Sequence, residues 1–301
     1  MCRDVVSALA ERLRAEYVSA AKGEEMARAL GTWLDAGSCN TARTARELAH
    51  TLTTDLQALC HDKHLRVFYG PPPMGPGHDD RGVGGIRKRE ILDGNVGYLE
   101  TTGVPSLPES EGPIAEAFAY LHDTEALILD VRANGGGDPI TVARYISYLS
   151  EGPPYVINRF EWRNAPREEF FTTDLGARSY GARKPVYVLT SKKTFSGGEE
   201  LAYDLQAAKR AVLIGETTGG GANPGGPRPL PHGFDVGVPM GRAVNAITGT
   251  NWEGTGVKPD VAVPADQALD EAHRAALARL KAMSGQPVAP TSESKPVTGK
   301  K

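Results

Sequence analysis

Apolar residues recur at helical spacing through the first part of the chain. This spacing predicts helices around residues 5–17 and 26–34, because the apolar side chains fall on one face of each helix. A third helix is predicted after Thr41 or Thr44, either of which can cap its first turn. The pattern therefore indicates a small helical domain over residues 1–64.

Beyond this segment the pattern changes to short apolar strands that alternate with helices. Residues 65–69 alternate like a strand, and residues 126–131 form the continuous apolar run of a buried strand. Such alternation predicts an α/β fold with helices covering a sheet, and we assign it to residues 65–283. Further helices are predicted over residues 114–121, 141–149, 199–210 and 265–283, and strands over 96–99, 185–189, 211–214 and 233–239.

Two segments lack this periodicity. Residues 70–83 are polar and rich in glycine and proline, which predicts a mobile loop. Residues 284–301 are rich in proline, serine, threonine and lysine, which predicts a disordered tail.

Composition excludes several classes of protein. The chain has 301 residues and a net charge of −3, and the absence of a long basic run argues against a nucleic-acid partner. No apolar stretch reaches the length of a membrane span. The three cysteines, Cys2, Cys39 and Cys60, give neither a disulfide framework nor a metal motif. No signal peptide is visible, so we expect a cytoplasmic protein or an exported one whose leader is missing. The sequence does not specify an oligomeric state.

Ser196 is the candidate nucleophile. It opens a predicted helix directly after a strand, where free backbone N–H groups favour developing negative charge. Gly197 lets a substrate backbone approach and leaves its N–H open as an oxyanion donor. Ser196 and Glu199 also form a Ser-x-x-Glu capping box, so a purely structural role is the alternative. The segment is not a G-x-S-x-G elbow, because Thr194 replaces the first glycine.

A second glycine loop, residues 135–137, follows the buried strand. Gly135 or Gly136 could supply the other half of an oxyanion hole. A phosphate-binding loop is disfavoured, because the segment lacks both G-K-[ST] and G-x-G-x-x-G. A plain strand–helix turn is the other interpretation.

A serine nucleophile requires a base and a group that orients the base. His64 lies at a helix-to-strand junction, where functional residues are often displayed; His61 and His232 remain alternatives. Glu253, in a glycine-rich loop, is the candidate orienting acid. Candidates for a substrate pocket are Trp252, which could instead cover the core, and Phe195.

Six short motifs occur in an order that resembles the tail-specific, C-terminal-processing serine peptidases. The resemblance covers roughly residues 3–280 and is strongest to the branch that contains the tricorn core protease and the interphotoreceptor retinoid-binding protein repeats. The motifs are Asp62-Lys-His-Leu-Arg-Val, Asn95-Val-Gly-Tyr-Leu, Leu129-Asp-Val-Arg-Ala-Asn-Gly-Gly-Gly, Thr194-Phe-Ser-Gly-Gly-Glu-Glu, Val212-Leu-Ile-Gly-Glu-Thr-Thr-Gly-Gly-Gly-Ala and Glu253-Gly-Thr-Gly-Val-Lys-Pro-Asp.

The resemblance implies a crotonase-like or ClpP-like ββα core behind the helical domain. A peptide-binding PDZ module is not expected, because residues 65–98 are too few to form one. Ser196 matches the family's nucleophile. The Gly197 N–H and the turn at Gly135 and Gly136 match its oxyanion hole.

The resemblance also bears on the base. Other tail-specific proteases use a lysine in a segment where this chain has Gly221. The tricorn-type branch uses a histidine and a distant glutamate, which His64 and Glu253 match. Lys63 replaces the serine that precedes the histidine in that branch.

The implied function is a serine peptidase that cleaves near the C-termini of polypeptides through an acyl-enzyme, with no metal or cofactor. Two alternatives use the same fold. One is a protein that binds retinoids or lipids, and the other is an esterase or acyl-transfer enzyme.

Overall fold

A computed structural model describes residues 1–40, 42–70 and 82–285 of the protein. The predicted loop at 70–83 and tail at 284–301 lie almost wholly outside this part. The described helices are α1 (Cys2–Glu16), α2 (Ala20–Asp35), α3 (Ala45–Cys60), α4 (Leu107–Leu121), α5 (Pro139–Tyr148), α6 (Gly197–Ala207) and α7 (Ala268–Met283). The described strands are β1 (Arg66–Tyr69), β2 (Ile86–Leu92), β3 (Val96–Thr101), β4 (Ala126–Asp130), β5 (Val156–Trp162), β6 (Glu168–Phe171), β7 (Val186–Thr190), β8 (Val212–Gly215), β9 (Gly225–Leu230), β10 (Phe234–Pro239), β11 (Gly241–Asn245) and β12 (Val261–Ala262).

A six-stranded sheet in the order β12-β8-β7-β4-β3-β2 forms the centre of the molecule. All neighbouring strands are parallel except β2 and β3, which are antiparallel. Both β4 and β7 are buried along their whole length, which explains their continuous apolar sequence. Helices α4, α5 and α6 share a core with one face of this sheet, and α7 packs on the other face. The predicted α/β fold is confirmed.

A three-stranded sheet, β11-β5-β6, lies beside the first core. Phe160 of β5, Phe170 of β6 and Ala243 of β11 are buried in the same cluster as the helices α4–α6. This sheet forms one wall of the cavity described below.

The N-terminal helices share a second core with the sheet β1-β10-β9. Apolar residues of α1, α2 and α3 pack there against Leu65, Val67, Phe234 and Val236. The predicted hairpin arm is confirmed, because β10 pairs antiparallel with β9. The domain boundary at residue 64 stays a prediction, since the helices are covered by strands that lie beyond it.

The cysteine prediction is wrong. Cys2 and Cys39 form a disulfide, because α1 and the turn after α2 bring their Cα atoms to 5.8 Å. Sequence spacing does not reveal this pair, which is separated by 37 residues. Among the described helices, none has the length and apolar composition that a membrane span requires.

Candidate active site

The two predicted glycine loops meet at one edge of the central sheet. They follow β4 and β7, which are adjacent parallel strands, so their carboxyl ends lie side by side. Hydrogen bonds join the two loops. The Ser191 hydroxyl donates to the Arg132 carbonyl at 2.7 Å, and the Thr194 hydroxyl donates to the Val131 carbonyl at 2.8 Å. The Phe195 N–H donates to the Asn134 carbonyl at 3.0 Å. The position of one loop thereby fixes the other.

Ser196 lies at the turn between this edge and α6, in an unusual backbone conformation. Its φ is +52° and its ψ is −123°, a region that costs a residue with a side chain about 1–3 kcal/mol. The Ser196 Oγ lies 3.0 Å from Nε2 of His64. This is hydrogen-bond distance between a hydroxyl nucleophile and an imidazole base, and the structure brings together two residues 132 positions apart.

Glu199 holds the turn in place. Its buried carboxylate accepts the Ser196 N–H at 2.9 Å, as in a capping box, and also the Gly221 N–H at 2.9 Å. The same carboxylate accepts the Gly220 N–H and the Thr218 hydroxyl. Burial raises the pKa of Glu199, and these four donors counteract that rise. Glu199 therefore connects the nucleophile turn to the loop at residues 218–221.

The predicted oxyanion hole needs a correction in one of its two donors. The Gly136 N–H donates to Asn134 Oδ1 at 2.9 Å, and the Gly135 N–H to the Thr102 carbonyl at 3.3 Å, so both are engaged elsewhere. Gly137 instead lines the cavity together with Gly197. A methyl group added to Gly197 would lie 3.0 Å from the Gly137 nitrogen. Gly137 is therefore the candidate for the second donor.

His64 reaches Ser196 from the other core of the molecule, between α3 and β1. Its ring packs on Phe195, with ring centroids 4.6 Å apart. The alternatives lie elsewhere: His61 caps α3 in a left-handed conformation, and His232 Nε2 lies 2.8 Å from Asp4 at the surface. Lys63 donates to the Gly219 carbonyl at 2.5 Å and so contacts the loop beside the base.

Gly221 shows why a lysine base is incompatible with this site. A Cβ at residue 221 would lie 2.7 Å from His64 Cε1 and 2.3 Å from Phe195 Cζ. These distances are far below van der Waals contact. The Phe195 and His64 rings together therefore occupy the space that a side chain at residue 221 would need.

Two carboxylates lie beside His64. Asp62 Oδ1 is 3.7 Å from Nδ1 of His64, and Asp62, His64 and Glu253 place one polar atom each within 4.8 Å of one another. Such a spacing could also hold a metal ion. Nδ1 has no hydrogen-bond partner among the described residues, a loose geometry that is common in sites without substrate.

Asp62 is the buried acid that the sequence analysis missed. Its Oδ1 accepts the His64 N–H at 2.9 Å, and its Oδ2 accepts the Asn223 amide at 2.9 Å and the Tyr17 hydroxyl at 3.3 Å. The Asp62-x-His64 spacing was the available signal, because an aspartate commonly bonds the backbone N–H two residues on.

Burial controls the protonation of this group. It lowers the pKa of His64, because a buried imidazolium loses hydration, while the charge of Asp62 acts in the opposite direction. Burial also raises the pKa of Glu253 to about 7, and the charge of Asp62 adds to that rise. The Glu253 carboxylate accepts the Ala222 N–H at 2.5 Å. A neutral His64 at neutral pH follows, as a base requires.

A cavity of about 360 Å³ opens in front of Ser196. Trp252 lines it, as predicted for a pocket residue, and its indole N–H donates to the Gly221 carbonyl at 2.8 Å. Phe195 is not among the lining residues and packs on His64 instead. Glu200 lines the cavity too, although nothing in the Glu199-Glu200 sequence distinguishes its role from that of its neighbour.

Comparison with known proteins places these residues in a family context. The model for peptidase family S41 matches residues 95–263, which is more than half of the chain. A second model, the N-terminal domain of peptidase S41 in eukaryotic IRBP, matches residues 1–88.

Two curated relatives match over part of their length. The carboxy-terminal processing protease CtpB of Bacillus subtilis is 26% identical over 180 residues, and the chloroplastic carboxyl-terminal-processing peptidase 2 of Arabidopsis thaliana is 28% identical over 181 residues. Each alignment covers 58% of this chain but only 35% and 33% of the relative, respectively. The matched region therefore spans about a third of each relative's length.

Solved structures share the fold. A candidate peptidase from Parabacteroides merdae superposes with a TM-score of 0.68 at 20% identity, and the match covers 92% of this chain and 97% of that one. At this identity the likeness concerns architecture alone.

Proposed function

The chain belongs to peptidase family S41, and we propose that it is a serine peptidase that cleaves polypeptides near their C-termini. The observation that carries this proposal is the 3.0 Å distance between Ser196 Oγ and His64 Nε2 at the mouth of a cavity. The specificity for C-termini is supported by the two relatives named as carboxy-terminal processing enzymes.

Acylation begins at the Ser196–His64 pair. His64 Nε2 takes the hydroxyl proton as Ser196 Oγ attacks the carbonyl carbon of the substrate. The resulting oxyanion accepts hydrogen bonds from the N–H groups of Gly197 and Gly137. When the tetrahedral intermediate collapses, His64 donates the proton to the leaving amine nitrogen, and the C–N bond breaks.

Deacylation reverses the roles. Water attacks the acyl-enzyme while His64 Nε2 accepts its proton, and the same oxyanion donors hold the second intermediate. His64 then returns the proton to Ser196 Oγ, and the shortened polypeptide leaves as a carboxylic acid. No step requires a group beyond these side chains, the backbone and water.

Asp62 and Glu253 act on the far side of the imidazole. The charge of Asp62 stabilises the imidazolium that forms during both steps, and the two carboxyl groups are placed to accept a hydrogen bond from Nδ1–H when the site tightens around substrate. The sequence-based assignment of Glu253 to this role is retained. Asp62 joins it because its oxygen lies 3.7 Å from Nδ1.

The test is intact-mass analysis after treatment with a fluorophosphonate, followed by peptide mapping. We expect one adduct on Ser196 that is absent in both Ser196→Ala and His64→Ala. Ser7→Ala and His50→Ala, which change exposed residues of the same types, are the matched controls and should label normally.

Cleavage assays complete the test. A peptide with a free C-terminus should be cleaved faster than the same peptide with its C-terminus buried in a longer folded partner. Normal peptide cleavage by Ser196→Ala would contradict the mechanism. Labelling with faster turnover of small esters than of peptides would indicate an esterase. A lipid or retinoid that copurifies with a chain that never labels would indicate a binding protein.

A further inference from the structure

A buried carboxylate whose Oε1 makes no hydrogen bond of normal geometry to any described residue lines the cavity in front of Ser196. Glu200 is 4% exposed and sits one helical turn into α6 from Ser196. Among the described residues, its Oε1 has no hydrogen-bond partner, and the side chain lines the cavity. Leaving a buried carboxylate oxygen unpaired is costly, so a cationic donor that entered the cavity would be stabilised at this oxygen.

The surroundings of Glu200 include a polar donor, the Asn158 amide, which lowers the pKa of Glu200 but makes no hydrogen bond of normal geometry with Oε1. Asp204, one turn further along α6, is 3% exposed and also keeps one oxygen, Oδ2, without a partner in the described part. Its other oxygen accepts the Asn245 amide at 2.7 Å. Burial raises the pKa of Glu200 to about 7 and that of Asp204 well above its usual range, and the charge of Glu200 adds to the latter shift. Both carboxyl groups thus favour their protonated forms, and a cation placed beside Glu200 would favour its ionised form.

The walls of the cavity suit a long aliphatic chain that ends in a cation. Phe160, Phe170 and Trp252 present apolar surface in the same lining as Glu200. Asp138 and Glu168 add two further carboxylates to the lining, and no lysine or arginine is among the described residues that form it. Apolar walls bind methylene groups, and the carboxylates of the lining attract a positive head group.

Resting on the proposed function, we propose that the cavity is a specificity pocket in which Glu200 binds the cationic side chain of a substrate lysine or arginine. The side chain belongs to the residue whose carbonyl Ser196 attacks. That carbonyl must lie against Gly137 and Gly197 at the mouth of the cavity, and the side chain of the same residue is the one next to the opening. Cleavage therefore follows a basic residue.

The experiment uses matched pairs of peptides that differ only at the residue before the scissile bond, with lysine in one and its uncharged near-isostere norleucine in the other. The wild-type protein should prefer lysine in kcat/KM by about ten- to a hundredfold, the range of one buried charge-assisted hydrogen bond. Glu200→Gln should bring the ratio close to one by slowing the lysine peptide while the norleucine peptide is unaffected.

Asp204→Asn is the matched control, because it neutralises a buried carboxylate on the same helix face that does not line the cavity. It should keep the preference for lysine, since removing a neighbouring negative charge favours the ionised form of Glu200. Unchanged fluorophosphonate labelling of Ser196 in Glu200→Gln shows that the variant is folded.

A wild-type ratio near one, a preference for norleucine, or an unchanged lysine preference in Glu200→Gln would overturn the proposal while leaving the peptidase function intact. Failure of the peptidase function is recognised separately, as no labelling and no cleavage of either peptide. In that case binding of N-acetyl-lysine amide against N-acetyl-norleucine amide decides the question. A ratio above ten that is lost in Glu200→Gln supports the pocket, and equal binding overturns it.

Discussion

The nucleophile and the base of the candidate site are held by two regions of the molecule that are built differently. Ser196 stands on the central sheet, where β7, its turn and the first residue of α6 are consecutive in sequence. His64 stands on the smaller region, where the helices α1–α3 and the sheet β1-β10-β9 share a separate core. One catalytic partner is thus placed by local structure and the other by packing between distant segments.

This difference indicates which contacts fix the position of Ser196 and which fix the position of His64. The Ser196 turn is fixed by the Glu199 carboxylate and by bonds between adjacent loops, all within the central region. The position of His64 depends instead on Asp62, which the Tyr17 hydroxyl of the helical region and the Asn223 amide hold from two sides. Changes in the helical region should therefore act on the base before they act on the nucleophile.

The largest expected effect comes from removing either partner. Ser196→Ala and His64→Ala should each lower kcat/KM by about 10⁴–10⁶-fold, because neither region can activate a nucleophile alone. The double variant should be no slower than either single one, which steady-state kinetics on one peptide would show. If the losses in kcat/KM of the two single variants added up in the double variant, Ser196 and His64 would act in separate steps. That result would contradict the view that the two regions act as one catalytic unit.

A side chain at residue 221 should move His64 away from Ser196. Gly221→Lys should lower kcat/KM by about 10²-fold or more, because the added side chain displaces the Phe195 ring and the His64 ring that packs on it, and the general base is lost. Gly112→Lys on α4 is the control, since an added side chain there meets no atom within 4 Å. Full activity of Gly221→Lys would show that lysine can serve as the base here after all.

Loosening the helical core should release the base while sparing the nucleophile turn. Leu52→Ala removes a fully buried side chain of α3 and should destabilise that region by about 2–5 kcal/mol. Hydrogen exchange measured by mass spectrometry should show that Leu52→Ala accelerates exchange in α1–α3 more than it accelerates exchange in α6. Leu277→Ala, at a position 38% exposed on α7, is the control. Equal loosening of both regions would show that they unfold as one unit.

The smallest expected effect concerns pH. Activity requires neutral His64, so kcat/KM should fall as pH drops through its pKa, which burial places below the usual 6.5. Asp62→Asn removes the charge that raises this pKa, so the acid limb should move to lower pH. Asp62→Asn should also lower kcat/KM by about tenfold. This loss is smaller than the whole contribution of a general base, because His64 itself is still present. A limb that moves to higher pH would exclude Asp62 from this role.

The same contrast explains what the sequence could predict. The strand, turn and helix around Ser196 follow from local pattern, and so do the buried runs of β4 and β7. The choice of His64 among several histidines came from the resemblance to a family, since no local signal joins residues 132 positions apart. Gly137 was missed in favour of Gly135 and Gly136 because the direction of an N–H group within a triple-glycine turn depends on its tertiary bonds. The Cys2–Cys39 disulfide and the cavity position of Glu200 likewise depend on packing between distant segments.

The contact between Gly221 and His64 has a consequence for how such sites can diverge. A lineage that carries the histidine acquires a side chain at residue 221 only if the Phe195 and His64 rings shift, because the added Cβ would lie 2.3 Å from one and 2.7 Å from the other. Losing the histidine first leaves a serine without a base. Exchange of one kind of base for the other therefore requires a new position for the Phe195 ring as well as changes at residues 64 and 221.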